Sequence, residues 1–296
     1  AGARVDVAPY KKDAADFVMW KPSTPELPGW DSPWGRGRPG WHIECSAMSR
    51  KHLGQPFDIH GGGADLIFPH HENEIAQSRC AHGGPLANYW LHNGYLTVDG
   101  EKMSKSIGNV VLVRDLLKRA PGEAIRLALL MTHYRQPLAR TKARLAEAWK
   151  KLHRWYRLMP SAWGDEPSHP AEDGLAGFDA ALDEDLNTPG AIAAMDRLAD
   201  EIEAPASGGP ALEREAALRA AGKVLGVLQN TKADWFSWLP PETALTVEQI
   251  ERDKAERAAA RKEKNFEASD RIRDRLAAQG IVLEDGPEGT TWHYEP

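Results

Sequence analysis

The stretch FDIHGGGADLIFPHHENEIAQ, residues 57–77, runs from a short apolar segment through three glycines to a proline, two histidines and two glutamates. With NYWLHNGYL at 88–96 it gives residues 42–95 short apolar runs alternating with turn signals, the pattern of strands and helices mixed in one α/β layer. Pro69 suits the first turn of a helix, where its missing N–H costs nothing, and that places His70 and Glu74 four residues apart on one face. This is metal-ligand spacing. Spacing alone does not separate His70 from His71, which stands three residues before Glu74.

Upstream, PSTPELPGWDSPWGRGRPG (22–40) is dense in Pro, Gly and Trp and reads as an ordered but irregular loop. The chain opens on AGARVDVAPYKKDAADFVMWKP without a methionine, which reads as mid-protein sequence and leads us to expect a truncated chain. Downstream, the pattern turns helical. In TKARLAEAWKKLHRWYRLM (141–159), Leu145, Trp149, Leu152 and Tyr156 recur at helical spacing. In residues 178–202, Phe178, Leu182 and Leu186 share a face, the helix breaks at 187–189, and Ile192, Met195, Leu198 and Ile202 resume it. Leu218, Ala221, Leu225 and Leu228 supply a partner face, so a helical bundle is expected. After a Trp/Pro-rich break, a last module combines a highly charged helical stretch from Val247, a helix stop at Gly280, and two short strands, 281–284 and 290–294, that can pair as a hairpin.

With 296 residues, 42% hydrophobic and 27% charged, the composition is that of a globular protein of two or three domains, with neither a disorder signature nor a membrane-length apolar run. The expected compartment is the cytoplasm, with no membrane partner. A net charge of −6 confines any nucleic-acid contact to local cationic surface, and two cysteines are too few for a disulfide framework.

Cys45, in GWHIECSAM (40–48), changes the weight of the histidine cluster, because thiolate, imidazole and carboxylate together suit zinc. Alone, Cys45 is more simply a small core residue. Cys80, ten residues beyond His70 and so ~15 Å along a helix, does not join the set and reads as a buried, inert thiol. A closed zinc site needs a fourth ligand from elsewhere. Gly61, Gly62 and Gly63 let the backbone turn tightly and approach a ligand. Asp65 can accept from a ligand ammonium or hydroxyl, or cap the following helix. In GEKMSKSIGN (100–109), Lys102 and Lys105 make a cationic loop able to wrap a polyphosphate.

KMSKS, residues 102–106, resembles the second signature of class I aminoacyl-tRNA synthetases, and GWHIECSAM, FDIHGGGADLIFPHHENEIAQS, NYWLHNGYL and EKMSKSIGN in this order resemble the cysteinyl-tRNA synthetase family. FDAALDEDLNTPGA and IVLEDGPEGTTW extend the resemblance essentially from end to end. The fold it implies is α/β plus mainly α: the C-terminal part of a Rossmann-type catalytic domain, then a helical bundle and a small α+β anticodon-binding module. In this chain that gives an insertion or linker at 1–40, the second half of the catalytic domain with zinc site and KMSKS loop at 41–120, the bundle at 121–240 and the anticodon module at 241–296. The resemblance implies Zn2+ on Cys45, His70 and Glu74, with a second cysteine outside this sequence; Trp41 and Asp65 beside the amino-acid pocket; and Lys105 on ATP, used with Mg2+, helped by Lys102 and by the Gly61–Gly63 backbone. Arg261, Phe266, Asp270 and Asp285 fall against anticodon bases, Phe266 standing where relatives can carry tryptophan. The implied substrates and partners are L-cysteine, ATP and tRNA(Cys).

The first class I signature, of HIGH type, is absent; HGGG at His60 is a different motif. We therefore expect a partner in the missing N-terminal half of the same enzyme, no activity from this chain alone, and an exposed apolar face prone to self-association. Two rivals share the features: a cysteine ligase of mycothiol biosynthesis, against which the complete C-terminal reader stands, and a noncatalytic tRNA-binding remnant.

Overall fold

Between Trp20 and Pro39 the chain doubles back, and the structure, a computed structural model, pairs the ends of this segment as antiparallel strands β1 (Trp20–Pro22) and β2 (Gly37–Pro39). The expectation of a wholly irregular loop here is thus corrected. The reason lies at Gly37, where a Cβ would stand 2.4 Å from the Trp20 indole nitrogen and 2.5 Å from the Lys21 carbonyl, so only glycine lets the two strands close. Residues 11–13, 15–98, 101–103, 108, 110–160, 172–204, 211–286 and 289–295 are described. They divide into two units, Ala1–Tyr95 and Leu96–Pro296; the break falls inside the 41–120 segment that the sequence reads as one domain.

In the first unit, helix α1 (Trp41–Leu53) leads into β3 (Phe57–Gly63), α2 (Glu72–His82) and β4 (Ala87–Asn93). β3 and β4 are parallel, in register from Phe57 opposite Ala87 to Gly63 opposite Asn93, and α2 is their crossover. Two expectations change here. The three glycines are not a turn but the last residues of β3, hydrogen-bonded into the sheet. Pro69 is not in the first turn of the helix; it lies in a wide turn, Ile67–His71, where Phe68 is extended (φ −137°, ψ 132°), and regular α-helix starts at Glu72.

The second unit opens with β5 (Leu96–Val98), flanked by antiparallel β6 (Glu101–Lys102) and parallel β7 (Leu138–Arg140), with α3 (Val113–Leu116) and α4 (Gly122–Leu130) between β6 and β7. The bundle adds α5 (Lys142–Leu158), α6 (Glu172–Asp183), α7 (Thr188–Glu203), α8 (Ala211–Leu225) and the short α9 (Lys232–Phe236). Trp149, Leu152, Tyr156, Phe178, Met195, Leu218 and Leu225 are buried in one core, so the stripes read from the sequence face inward. Leu186 departs from its stripe and is exposed, because α6 stops at Asp183 and Asp185 and Leu186 turn the chain through positive φ (53° and 54°) before Asn187 caps α7.

The charged stretch forms two helices, α10 (Val247–Lys262) and α11 (Phe266–Ala277). A Thr246/Gln249 capping box starts α10, Lys264 breaks it at φ 60°, and the Asn265 side chain caps α11. Gly280, at φ 80°, ends the helical part, and β8 (Ile281–Gly286) pairs with β9 (Gly289–Tyr294) as the hairpin foreseen. Ile250, Leu276, Ile281 and Trp292 form its separate core. Among the described residues no helix is long and apolar enough to cross a membrane.

Candidate active site

The site in the first unit is built by α1, β3, β4 and α2. Ser46 on α1 donates to Gln77 Oε1 on α2 at 2.6 Å and locks the two helices side by side. Cys45, His70 and Glu74 are thereby brought together, with one donor atom from each lying within 4.8 Å of the others. The two histidines part in space: His70 groups with Cys45 and Glu74, whereas His71 groups with His60 and the same Glu74, again with one donor atom from each within 4.8 Å of the others.

Glu74 is fully buried and shared. Its Oε1 lies 2.6 Å from His70 Nε2 and its Oε2 lies 3.1 Å from His60 Nε2. Neither carboxylate oxygen has a hydrogen bond of good geometry. Burial drives the Glu74 carboxyl upward, but contact with His60 and the nearby His70 outweigh it, and its pKa falls below the usual value. The buried carboxylate thus holds the His70 and His60 rings against it and stays ionised, as a carboxylate ligand of a cation must.

The outer partners fix the rings. His70 Nδ1 lies 2.8 Å from His42 Nδ1, leaving Nε2 to face Glu74, and Trp41 stacks on the His70 ring at 4.1 Å. His71 Nδ1 lies 2.8 Å from His92 Nε2. Burial, with His60 nearby, lowers the pKa of His71 to about 4, so this ring is neutral at physiological pH. Burial and the Glu74 charge push the Cys45 thiol upward, so without a cation it stays protonated.

Gly62 explains the glycine run better than ligand approach does: a Cβ there would stand 2.8 Å from His71 Cε1. The close approach is to a histidine of the protein itself. Asp65 lies in the short turn after β3. Lys102 pairs with Thr97 through the β6–β5 ladder, whereas Lys105 lies outside the described residues. Cys80 is exposed on α2, not buried, because it lies on the solvent side of the helix near its C-terminal end. His60, His42 and His92 were not singled out as site residues from the sequence, whereas the spacing kept His71 beside His70 as an alternative; the signal for His60 and His92 was the period of two that puts His60 and Gly62 on one face of β3, opposite Trp90 and His92 of β4.

A second cluster lies in the last module. Arg261 pairs with Asp285, which also takes both terminal nitrogens of Arg257, at 2.8 and 2.9 Å, and the Thr290 hydroxyl at 2.7 Å. The Arg257 fork, then Thr290, hold the Asp285 carboxyl far below the carboxylate range. Asp270 pairs with Arg273 at 2.9 Å, and Phe266 is exposed at the start of α11 instead of packed in a core face.

Residues 1–150 match the family model described as "tRNA synthetases class I (C) catalytic domain". The chain belongs to the cysteine branch of the class I tRNA synthetases. Further matches cover a DALR domain at 177–229 and a "Cysteinyl-tRNA ligase anticodon binding domain" at 255–292. Two relatives of this class I family, the cysteine–tRNA ligases of Parvibaculum lavamentivorans and Paramagnetospirillum magneticum, are each 56% identical over 99% of the chain. The chain spans 63% and 64% of their lengths. The fold is similar to that of the leucine enzyme in the LeuRS–tRNA–LeuAMS complex of Agrobacterium radiobacter K84, with TM-score 0.51 at 16% identity, over 67% of this chain and 32% of that one. A class I catalytic-domain region, followed by DALR and anticodon-binding domains, is therefore the architecture of this chain.

Proposed function

We propose that this chain is the zinc-bearing and tRNA-reading part of a cysteine–tRNA ligase, which activates L-cysteine on ATP and transfers it to tRNA(Cys). The observation that carries the reading is the convergence of Cys45, His70 and the fully buried Glu74, one donor atom from each lying within 4.8 Å of the others. Thiol, imidazole and carboxylate are a borderline-soft donor set that fits zinc, and one further ligand would complete it. A bound zinc would lower the pKa of the substrate thiol and bind it as thiolate, where serine offers only a hard hydroxyl. A site built around that bond needs no separate editing domain.

The surrounding residues take distinct parts. His42 and Trp41 fix the ring plane of His70, and the exposed indole of Trp41 would flank the amino acid. Asp65 would hold its ammonium group. The cysteine carboxylate attacks the α-phosphate of ATP, forming the cysteinyl-adenylate and breaking the bond to pyrophosphate. A terminal ribose hydroxyl of the tRNA then attacks the acyl carbon and AMP leaves. Lys105, with Lys102, would clamp the phosphates together with Mg2+, as charge stabilisation and not as base or nucleophile. Arg261, Phe266, Asp270 and Asp285 would read the anticodon by hydrogen bonding and stacking.

A match to an anticodon-binding domain favours this reading over transfer of cysteine to an amino sugar. Aminoacylation by the complete gene product tests it. Cysteine, and not serine, should be joined to tRNA(Cys), with Cys45→Ser lowering the rate at least tenfold; amide formation with the sugar in place of tRNA charging would overturn it.

A further inference from the structure

Arg257 is a buried cation, about 8% exposed, whose two terminal nitrogens both grip Asp285. A carboxylate offers about four acceptor positions. Asp285 fills four: two to the Arg257 fork, one to Thr290 across the hairpin, where the two residues are register partners, and one to Arg261. These donors differ in freedom. The Arg257 side chain is 10% exposed and that of Arg261 is 47% exposed, one turn further along α10. Arg257 cannot leave without stranding a charge among packed side chains, whereas Arg261 can swing into water.

We propose that Arg257 is the positioning residue of the anticodon-reading face: it fixes the plane of the Asp285 carboxylate so that Arg261 can exchange for an N–H donor on a base edge. This inference rests on the proposed anticodon role of Asp285 and Arg261. On exchange, the base takes the Oδ2 position that Arg261 vacates, and the freed guanidinium turns to a base acceptor or phosphate. The number of hydrogen bonds at Asp285 is conserved, so desolvating it costs little when RNA arrives. The charge of Asp270 also reaches Arg257. Bidentate geometry matters, since a lysine at 257 offers a point charge and leaves the carboxylate free to rotate.

The 296-residue chain is titrated with an RNA hairpin carrying the tRNA(Cys) anticodon and with the same hairpin altered at one anticodon base. Arg257→Lys should weaken the matched hairpin by roughly 10- to 100-fold, hardly affect the altered one, and leave the dependence of log K on log salt unchanged. Equal weakening of both hairpins with a shallower salt slope makes Arg257 a phosphate contact and overturns the proposal, as does undiminished discrimination. Should Arg257→Lys fail to fold, Asp285→Asn, which keeps shape and loses charge, should give the same selective loss; full discrimination by that variant overturns it equally. A wild-type chain that does not distinguish the hairpins overturns the anticodon reading itself and this inference with it.

Discussion

The Tyr156 hydroxyl donates to Glu123 Oε2 at 2.8 Å inside the helical bundle, and the same carboxylate accepts from Leu228 N, Gln229 N and Asn230 Nδ2. One buried side chain in the first turn of α4 therefore holds α5 and the turn after α8, where Leu228 stands at φ 58°. Burial, then the Glu123 charge, push the Tyr156 phenol far above its usual range, so it remains a donor at any working pH. Glu123→Ala should lower stability by roughly 2–4 kcal/mol, because it strands several buried donors at once. Denaturant unfolding measures this, and a loss below about 0.5 kcal/mol would show that the network is dispensable.

His153 gives the bundle a pH dependence. Burial, then the positive charges of His293 and Arg157, lower its pKa from 6.5 to about 4, and its Nε2 is buried without a hydrogen-bond partner. Between those two values the unfolded chain binds the proton and the folded one does not. Stability therefore falls as pH drops from 6.5 towards 4, by up to about 1.4 kcal/mol per pH unit, and this loss levels off below the folded pKa. His293 is depressed by burial too and adds in the same direction. His153→Phe should flatten the profile of melting temperature against pH without abolishing the slope; an unchanged profile would assign it to other groups.

The helical half was legible because its apolar stripes report burial directly: Trp149, Leu152 and Tyr156 lie at the spacing of one face and are all buried. The hairpin was equally legible from its turn and strands. The glycines at 61–63 misled, since nothing local distinguishes a glycine needed for a turn from one making room for a distant ring, and His71 is that ring at Gly62. Cys45, His70 and Glu74 stand together as the resemblance implies, although His70 lies in the wide turn before regular helix begins and the spacing alone did not separate it from His71. His60 and His92 were not legible, because cross-strand register is a long-range property. Leu186 shows the opposite failure, where a stripe outlasts the helix that carries it.

Ile59 and Tyr89 stand opposite each other in β3 and β4 and are 61% and 67% exposed, although parallel sheets ordinarily have both faces covered. The isolated 296-residue chain should self-associate through this face. Static light scattering should show a mass above 32.7 kDa that falls towards it in Ile59→Lys/Tyr89→Lys. A monomer for the unaltered chain would contradict the expectation.

Phe266 is 61% exposed, so its removal should cost the fold under about 0.5 kcal/mol while costing RNA binding. Phe266→Ala should weaken an anticodon hairpin by about 1–3 kcal/mol, and Phe266→Trp should restore it, since stacking needs a ring face and not a particular hydrogen bond. Equal affinity of the alanine variant would remove Phe266 from the interface.

Cobalt(II) binding followed by sulfur-to-metal charge-transfer absorption tests the zinc assignment most directly, because the band appears only when a thiolate is a ligand. The chain should bind one equivalent with this band present, keep it in Cys80→Ser, lose it in Cys45→Ser, and bind far more weakly in Glu74→Ala. A band that persists in Cys45→Ser, or affinity indifferent to Glu74, would contradict the account.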